Sequence, residues 1–144
     1  MKYVLYITTL LIFGCASGKQ QNYPQKVQFE TLVQGSNGGY LNSQFIVVKN
    51  QDELKTVYTQ INKVRKPGFP IPKIDFEKEL ILALFLGEKT TGGHAISITK
   101  IIETIDEVQV FVQTNAPDGM ATSAMTQPYY FCKIPRTEKS IVFK

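Results

Sequence analysis

The chain predicts an α+β domain, with one amphipathic helix packed on a curled, mostly antiparallel β-sheet of about seven strands. Three observations carry that expectation. Only one stretch has helical spacing of apolar residues between recognisable start and stop signals. About seven short runs instead alternate apolar with polar residues, or are rich in Val, Ile, Tyr and Phe. After Leu80 these runs follow one another through local connections, as sequential antiparallel strands do.

Residues 1–14 stand outside that domain. Lys2 and the apolar run from Tyr3 to Phe13 have the form of a secretory signal. The run is too short to cross a bilayer as a helix, which takes roughly 20 apolar residues. Leu11, Ile12, Phe13 and Gly14 before Cys15 resemble the bacterial lipobox, which implies cleavage before Cys15 and diacylation of that residue. Residues 15–24 are then the lipidated cysteine and a flexible polar tether, "ASGKQQNYP", bounded by Pro24. Residues 25–144 form a single domain, large enough to bury about two-thirds of its unfolded surface without staples. With Cys15 acylated, Cys132 has no partner and no disulfide framework arises. Ala16 stands where an Asp retains many lipoproteins in the inner membrane, so the expected location is the outer membrane of a bacterial cell envelope.

The elements follow in order. "KVQFETLV" sets Val27, Phe29, Thr31 and Val33 on one face of a strand, "GSNGG" at 35–39 turns the chain, and "QFIVVK" is a second strand. Asn50 caps the helix, and Glu53 completes a capping-box pair. Leu54, Val57, Tyr58, Ile61 and Val64 make its apolar stripe. The basic "KVRK" at 63–66 closes it against the negative end of the dipole, and Pro67-Gly68 stops it. Phe69, Ile71, Ile74 and Phe76 pin a Pro-rich extended segment to the domain. "LILALFL" at 80–86 is a central strand covered on both faces. In "HAISITKIIETI", Ile96 and Ile98 share one parity and Ile101 and Ile105 the other, which predicts a β-bulge near Lys100. "VQVFVQ", "YYFCKI" and "SIVF" are the remaining strands.

Charge and motif content narrow the function. The net charge of +4 comes from scattered lysines and arginines, not from the basic stripe of a nucleic-acid reader. Gly92-Gly93 is not a phosphate cradle, because a strand and not a helix N-terminus follows it. Cys132 alternates with Tyr130 and Ile134, the pattern of a small buried hydrophobe. Neither Cys132 with His94 nor Ser123 as nucleophile has an identifiable orienting third group. The carboxylates form no recognisable acid–base pair, and a single histidine without neighbouring ligands makes no zinc site. No catalytic residue, cofactor or metal is therefore expected.

If residues 80–86, 94–104, 108–114 and 129–134 run as an up-and-down meander, the loops at 88–93 and 115–128 emerge from the same end. The second loop is long for a mere connector, and Met120 and Met125 give it the adaptable character of a binding surface. The expected partner-binding residues are Glu88, Lys89, Thr90, Thr91, Gly92, Gly93, His94, Pro128 and Tyr129. Gly92 and Gly93 are expected to take positive φ, and Thr91 and Tyr129 to be contact side chains.

"LFLGEKTTGGHAISI", with "IDF" upstream and "PYYFCKIPR" downstream, resembles the C-terminal domain of the PrcB-like protease-complex subunits. The likeness runs from Val27 to Arg136 and is carried by Gly87, Glu88, Lys89, Thr91, Gly92 and Gly93, by Asp75-Phe76, by Pro128-Tyr129 and by Lys133-Ile134-Pro135. His94 stands where that family has Tyr, and Thr90 where it has Pro. The resemblance implies a non-catalytic lipoprotein that associates with a surface serine protease and supports its stability or assembly. "TTGGH" near "PYY" is also faintly similar to chagasin-like inhibitors, which insert a Thr-Thr-Gly loop into cysteine-protease clefts. The alternatives in other classes are a structural cell-envelope lipoprotein and, last, a Cys–His enzyme.

Overall fold

The computed structural model describes residues 22–144, so the signal segment 1–14 and Cys15 lie outside the described residues. The elements are β1 (Gln25–Lys26), β2 (Glu30–Gly35), β3 (Gln44–Val48), α1 (Gln51–Asn62), β4 (Glu79–Phe85), β5 (Ala95–Glu103), β6 (Glu107–Asn115), β7 (Tyr129–Pro135) and β8 (Ser140–Phe143). They form two four-stranded sheets, ordered β1-β5-β6-β8 and β2-β7-β4-β3. All pairings are antiparallel except β6 with β8.

The expected single sheet is thus two sheets, and the meander does not form. β4 pairs with β3 and β7, whereas β5 pairs with β1 and β6. The unbroken apolar run of β4 explains the split, because its two faces serve two separate cores. Leu80, Leu82 and Leu84 pack with Ile96, Ile98, Ile101, Val108 and Val110 of the facing sheet, and with Tyr130, Cys132 and Ile134 of β7. Ile81, Ala83 and Phe85 pack with Leu54, Val57, Tyr58 and Ile61 of α1, and with Tyr129 and Phe131. The molecule therefore has three layers: an outer sheet, a central sheet without a solvent face, and one helix.

The first expected strand is also two. Pairing of β1 ends at Lys26, Val27 N donates to Ile101 O at 2.9 Å, and the chain crosses to the other sheet as β2. The regular alternation of Val27, Phe29, Thr31 and Val33 concealed the crossover and the register shift between Thr31 and Val33. The bulge falls where expected, with the β5–β6 register shifting between Ile98 and Lys100. It returns Ile101 to the core beside Ile96 and Ile98, while Ile105 at the following turn is 72% exposed.

Asn50 Oδ1 accepts from Glu53 N at 2.9 Å, as an N-cap does. The returning Glu53 carboxylate takes Lys49 N instead of the cap residue's own N–H. Helix α1 stops at Asn62, so "KVRK" lies beyond it, and Val64 is 55% exposed off the stripe. The early stop has a visible cause. Asn62 turns its amide onto the returning chain, donating to Phe69 O at 3.0 Å and accepting from Phe69 N at 2.8 Å. Phe69, Ile74 and Phe76 then pack against the helix-side core, whereas Ile71 faces outward.

The chain enters at the β5 terminus that carries Glu103. Gln25 Nε2 donates to Glu103 Oε2 at 3.0 Å, Lys139 pairs with the same carboxylate at 2.8 Å, and Lys139 Nζ sits 3.9 Å over the Tyr23 ring. The Lys139 hydrogen bond holds the Glu103 carboxyl below its ordinary range, with Gln25 adding to it against the effect of burial.

Candidate functional site

Although no meander forms, the loops at 86–94 and 116–128 do leave from one end, and they pack directly on each other. β4 and β6 run toward that end, while β5 and β7 start from it. Lys89 N donates to Thr126 O at 2.7 Å and Thr126 N returns the bond to Lys89 O at 2.8 Å. Gly92 N donates to Thr122 O at 3.0 Å, and Thr126 Oγ1 to Thr91 O at 3.0 Å.

A third loop, 36–43, joins them, which the sequence reading did not anticipate. Gln127 is the hub. Its backbone N donates to Ser36 O, its backbone O accepts from Gly38 N, its Oε1 accepts from Gly39 N at 2.9 Å, and its Nε2 donates to Glu88 Oε2 at 2.9 Å. Glu88 N in turn donates to Leu41 O at 2.9 Å. From the helix layer, Gln60 Nε2 donates to Gly39 O. The three loops are thus one hydrogen-bonded surface braced from beneath.

The expected site residues separate into surface and support. Thr90 and Gly93 are exposed. Lys89, Thr91, Gly92 and His94 are half-buried, and Thr91 Oγ1 lies 2.9 Å from His94 Nε2, so neither side chain is free of a partner. Glu88 is turned toward Gln127. Pro128 and Tyr129 are buried; Tyr129 is 1% exposed and is a core support, not a contact residue. Its ring stacks with Phe85 and meets Phe131 edge to face.

Gly35 and Gly38 accommodate that ring: a Cβ on Gly35 would stand 2.9 Å from the Tyr129 ring and hydroxyl, and one on Gly38 would stand 3.1 Å from Tyr129 Cβ. The Tyr129 hydroxyl is buried without a well-formed hydrogen bond among the described residues; burial raises the phenol above its ordinary value, and the neighbouring Arg65 guanidinium acts in the opposite direction.

The glycine expectation is half met. Gly93 has φ +84, whereas Gly92 does not take positive φ and is needed for closeness, its absent Cβ otherwise lying 2.5 Å from Thr122 Oγ1. Gly87, which alternation gave no reason to single out, has φ +78 and passes against the 36–43 loop backbone.

Beside exposed polar residues such as Thr90, Asp118 and Thr122, the surface carries large exposed apolar side chains. Leu41 is 66%, Met120 104% and Met125 65% exposed, one or two from each of two of the converging loops. These apolar side chains stand on a polar base tied together by the Gln127 hydrogen bonds. Cys132 lies elsewhere, wholly buried between the sheets; burial pushes its thiol up to about 12, the reverse of an activated nucleophile. Among the described residues no group of three or more His, Cys, Asp and Glu side chains is placed to hold a metal ion.

Fold and site together define an α+β domain that collects three loops into one apolar-tipped end. Residues 80–135 match the family model described as PrcB C-terminal. The match runs from β4 to β7 and includes both the 86–94 and 116–128 loops, so the resemblance read from the sequence holds over that segment. Neither the curated proteins nor the solved structures give a match to the chain.

Proposed function

We propose that this protein is a non-catalytic, lipid-anchored binding module of the bacterial envelope, an accessory subunit that docks and stabilises a protease through its three-loop end. The observation that carries the reading is the exposure of Leu41, Met120 and Met125 on loops that Gln127 ties into one body. A surface that is ordered before contact loses little entropy on binding, and Met adapts to its partner's shape. The match to the PrcB C-terminal family supports a protease as the partner. The buried Cys132 supports the absence of thiol chemistry. The anchor at Cys15 rests on the lipobox resemblance, and its outer-membrane location on Ala16 after the lipidated cysteine.

Crosslinking the protein in intact cells and purifying it tests this. An accessory subunit carries a protease at stoichiometric yield; capture of wall or membrane components alone would assign it to the structural lipoproteins. The variant Leu41→Ser/Met125→Ser should lose the partner, whereas Ile105→Ser, at the opposite end, should retain it. All three side chains are exposed, so folding should change by no more than about 0.5 kcal/mol per site.

A further inference from the structure

Sheets expose unpaired backbone groups at their edges, and this molecule leaves one edge conspicuously short of a neighbour. β1 pairs with β5 only at Ile102 and Glu103, and the last contact in that row is Val27 N on Ile101 O before the chain departs to β2. Among the described residues, residues 95–100 of β5 therefore have β6 on one side and no strand on the other. β2 is likewise the outermost strand of its own sheet. Between these two edges, at the loop end, lies a cleft of about 360 Å³ lined by Gln34, Ser36, His94, Ala95 and Ile96 among others. The opposite flank of the sandwich is bridged, with the Phe45 and Phe143 rings 5.1 Å apart.

Unpaired N–H and C=O groups in a row are best satisfied by another strand. We infer that an extended segment of the protein partner adds to β5 above β1, pairing along residues 95–100 and turning alternate side chains into the cleft beside Ile96. The inference rests on the partner-docking reading and names how that partner is held.

Charge selects the occupant. Lys26 and Lys100 fall on the outward face of this edge, as the Lys26↔Ile102 and Lys100↔Phe111 registers require. Lys100 caps the Phe111 ring at 4.4 Å, and neither lysine has an ion-pair partner among the described residues. None of the six residues from Ala95 to Lys100 is acidic. A second copy of this chain would bring lysine edge to lysine edge, and the bulge beside Lys100 adds the local twist that discourages self-pairing. A partner strand with a carboxylate on its outward face matches both lysines.

The probe is the peptide acetyl-Thr-Val-Glu-Val-Thr-Val-amide, titrated into the isotope-labelled domain from Gln25 to Lys144 within the full mature chain while amide resonances are followed. The expected result is shifts at residues 95–100. They should weaken about ten-fold in affinity when Glu is replaced by Lys, and by at least about as much when the peptide backbone is fully N-methylated, since each lost pairing is worth on the order of 1 kcal/mol. Lys100→Glu should reverse the Glu-over-Lys preference. Absent shifts, shifts confined to β2, β3 or β8, or equal binding of the N-methylated peptide would overturn the inference. Concentration-dependent dimerisation that shifts residues 95–100 without peptide would overturn it in favour of a second copy. If the edge fails while Leu41→Ser/Met125→Ser still loses its captured protease, only this inference falls and the docking reading stands.

Discussion

Replacing Gly87 by alanine should loosen the three-loop end more than any other single-methyl addition there. Two costs combine. Gly87 has φ +78, where an L-residue is disfavoured by about 1–2 kcal/mol. Its new Cβ would stand 2.7 Å from Ser43 N and 3.0 Å from Leu41 O, both backbone atoms that no rotamer change can move. Overpacking of that kind costs about 1–3 kcal/mol, which gives a total of roughly 2–5 kcal/mol. Gly119→Ala is the matched control. Its φ is +87, but nothing lies within 4 Å of the added Cβ, so only the backbone cost applies. Urea unfolding of both variants separates the two terms, and thermal melting should show roughly 3–5 °C per kcal/mol for a domain of this size. If Gly87→Ala and Gly119→Ala differ by less than about 0.5 kcal/mol, the 36–43 loop is not seated on Gly87 and the account of a braced surface fails.

Tyr129→Phe should change stability by no more than about 1 kcal/mol, because the hydroxyl it removes is buried with only the neighbouring Arg65 to meet it, whereas Tyr129→Ala should cost about 3–5 kcal/mol; calorimetry distinguishes them. The contribution of Cys132 to stability should be level below about pH 9 and fall as pH rises toward 12, since the thiol ionises near 9.0 when unfolded and at about 12 when folded. Cys132→Ala should flatten part of the alkaline slope in denaturant titrations, to which the raised tyrosines Tyr40, Tyr58, Tyr129 and Tyr130 and the raised lysines Lys133 and Lys139 also contribute. Cys15→Ser should abolish metabolic labelling with palmitate, and undiminished labelling would refute the lipobox reading.

Much of the fold was legible because local signals were unambiguous. Asn50 with Glu53 marked the helix start, and the parity break between Ile98 and Ile101 located the bulge to within a residue. What stayed hidden was non-local. An apolar run such as β4 announces two covered faces, but not that a second sheet covers one of them. The helix end was misplaced because Asn62 is held by Phe69, a contact set by tertiary packing and not by spacing. At the loop end, "TTGG" was visible as a tip, yet Gln127 looks like any polar loop residue until three loops are seen to meet on its amide. Tyr129 was misjudged for a related reason. Its neighbour across the strands is Gly35, and only that pairing shows the ring to lie inward.

The clasp of Tyr23 by Lys139 fixes where a leash would leave the body. The docked chain begins at the Glu103 terminus of β5, and the loops open at the Ala95 terminus eight residues away, a height of about 27 Å. An anchor at Cys15, as proposed, leaves only residues 16–22 between bilayer and body, which can span no more than about 25 Å. On that proposal the leash would hold the base near the lipid and turn the loop end outward, where a bulky enzyme could approach without meeting the membrane.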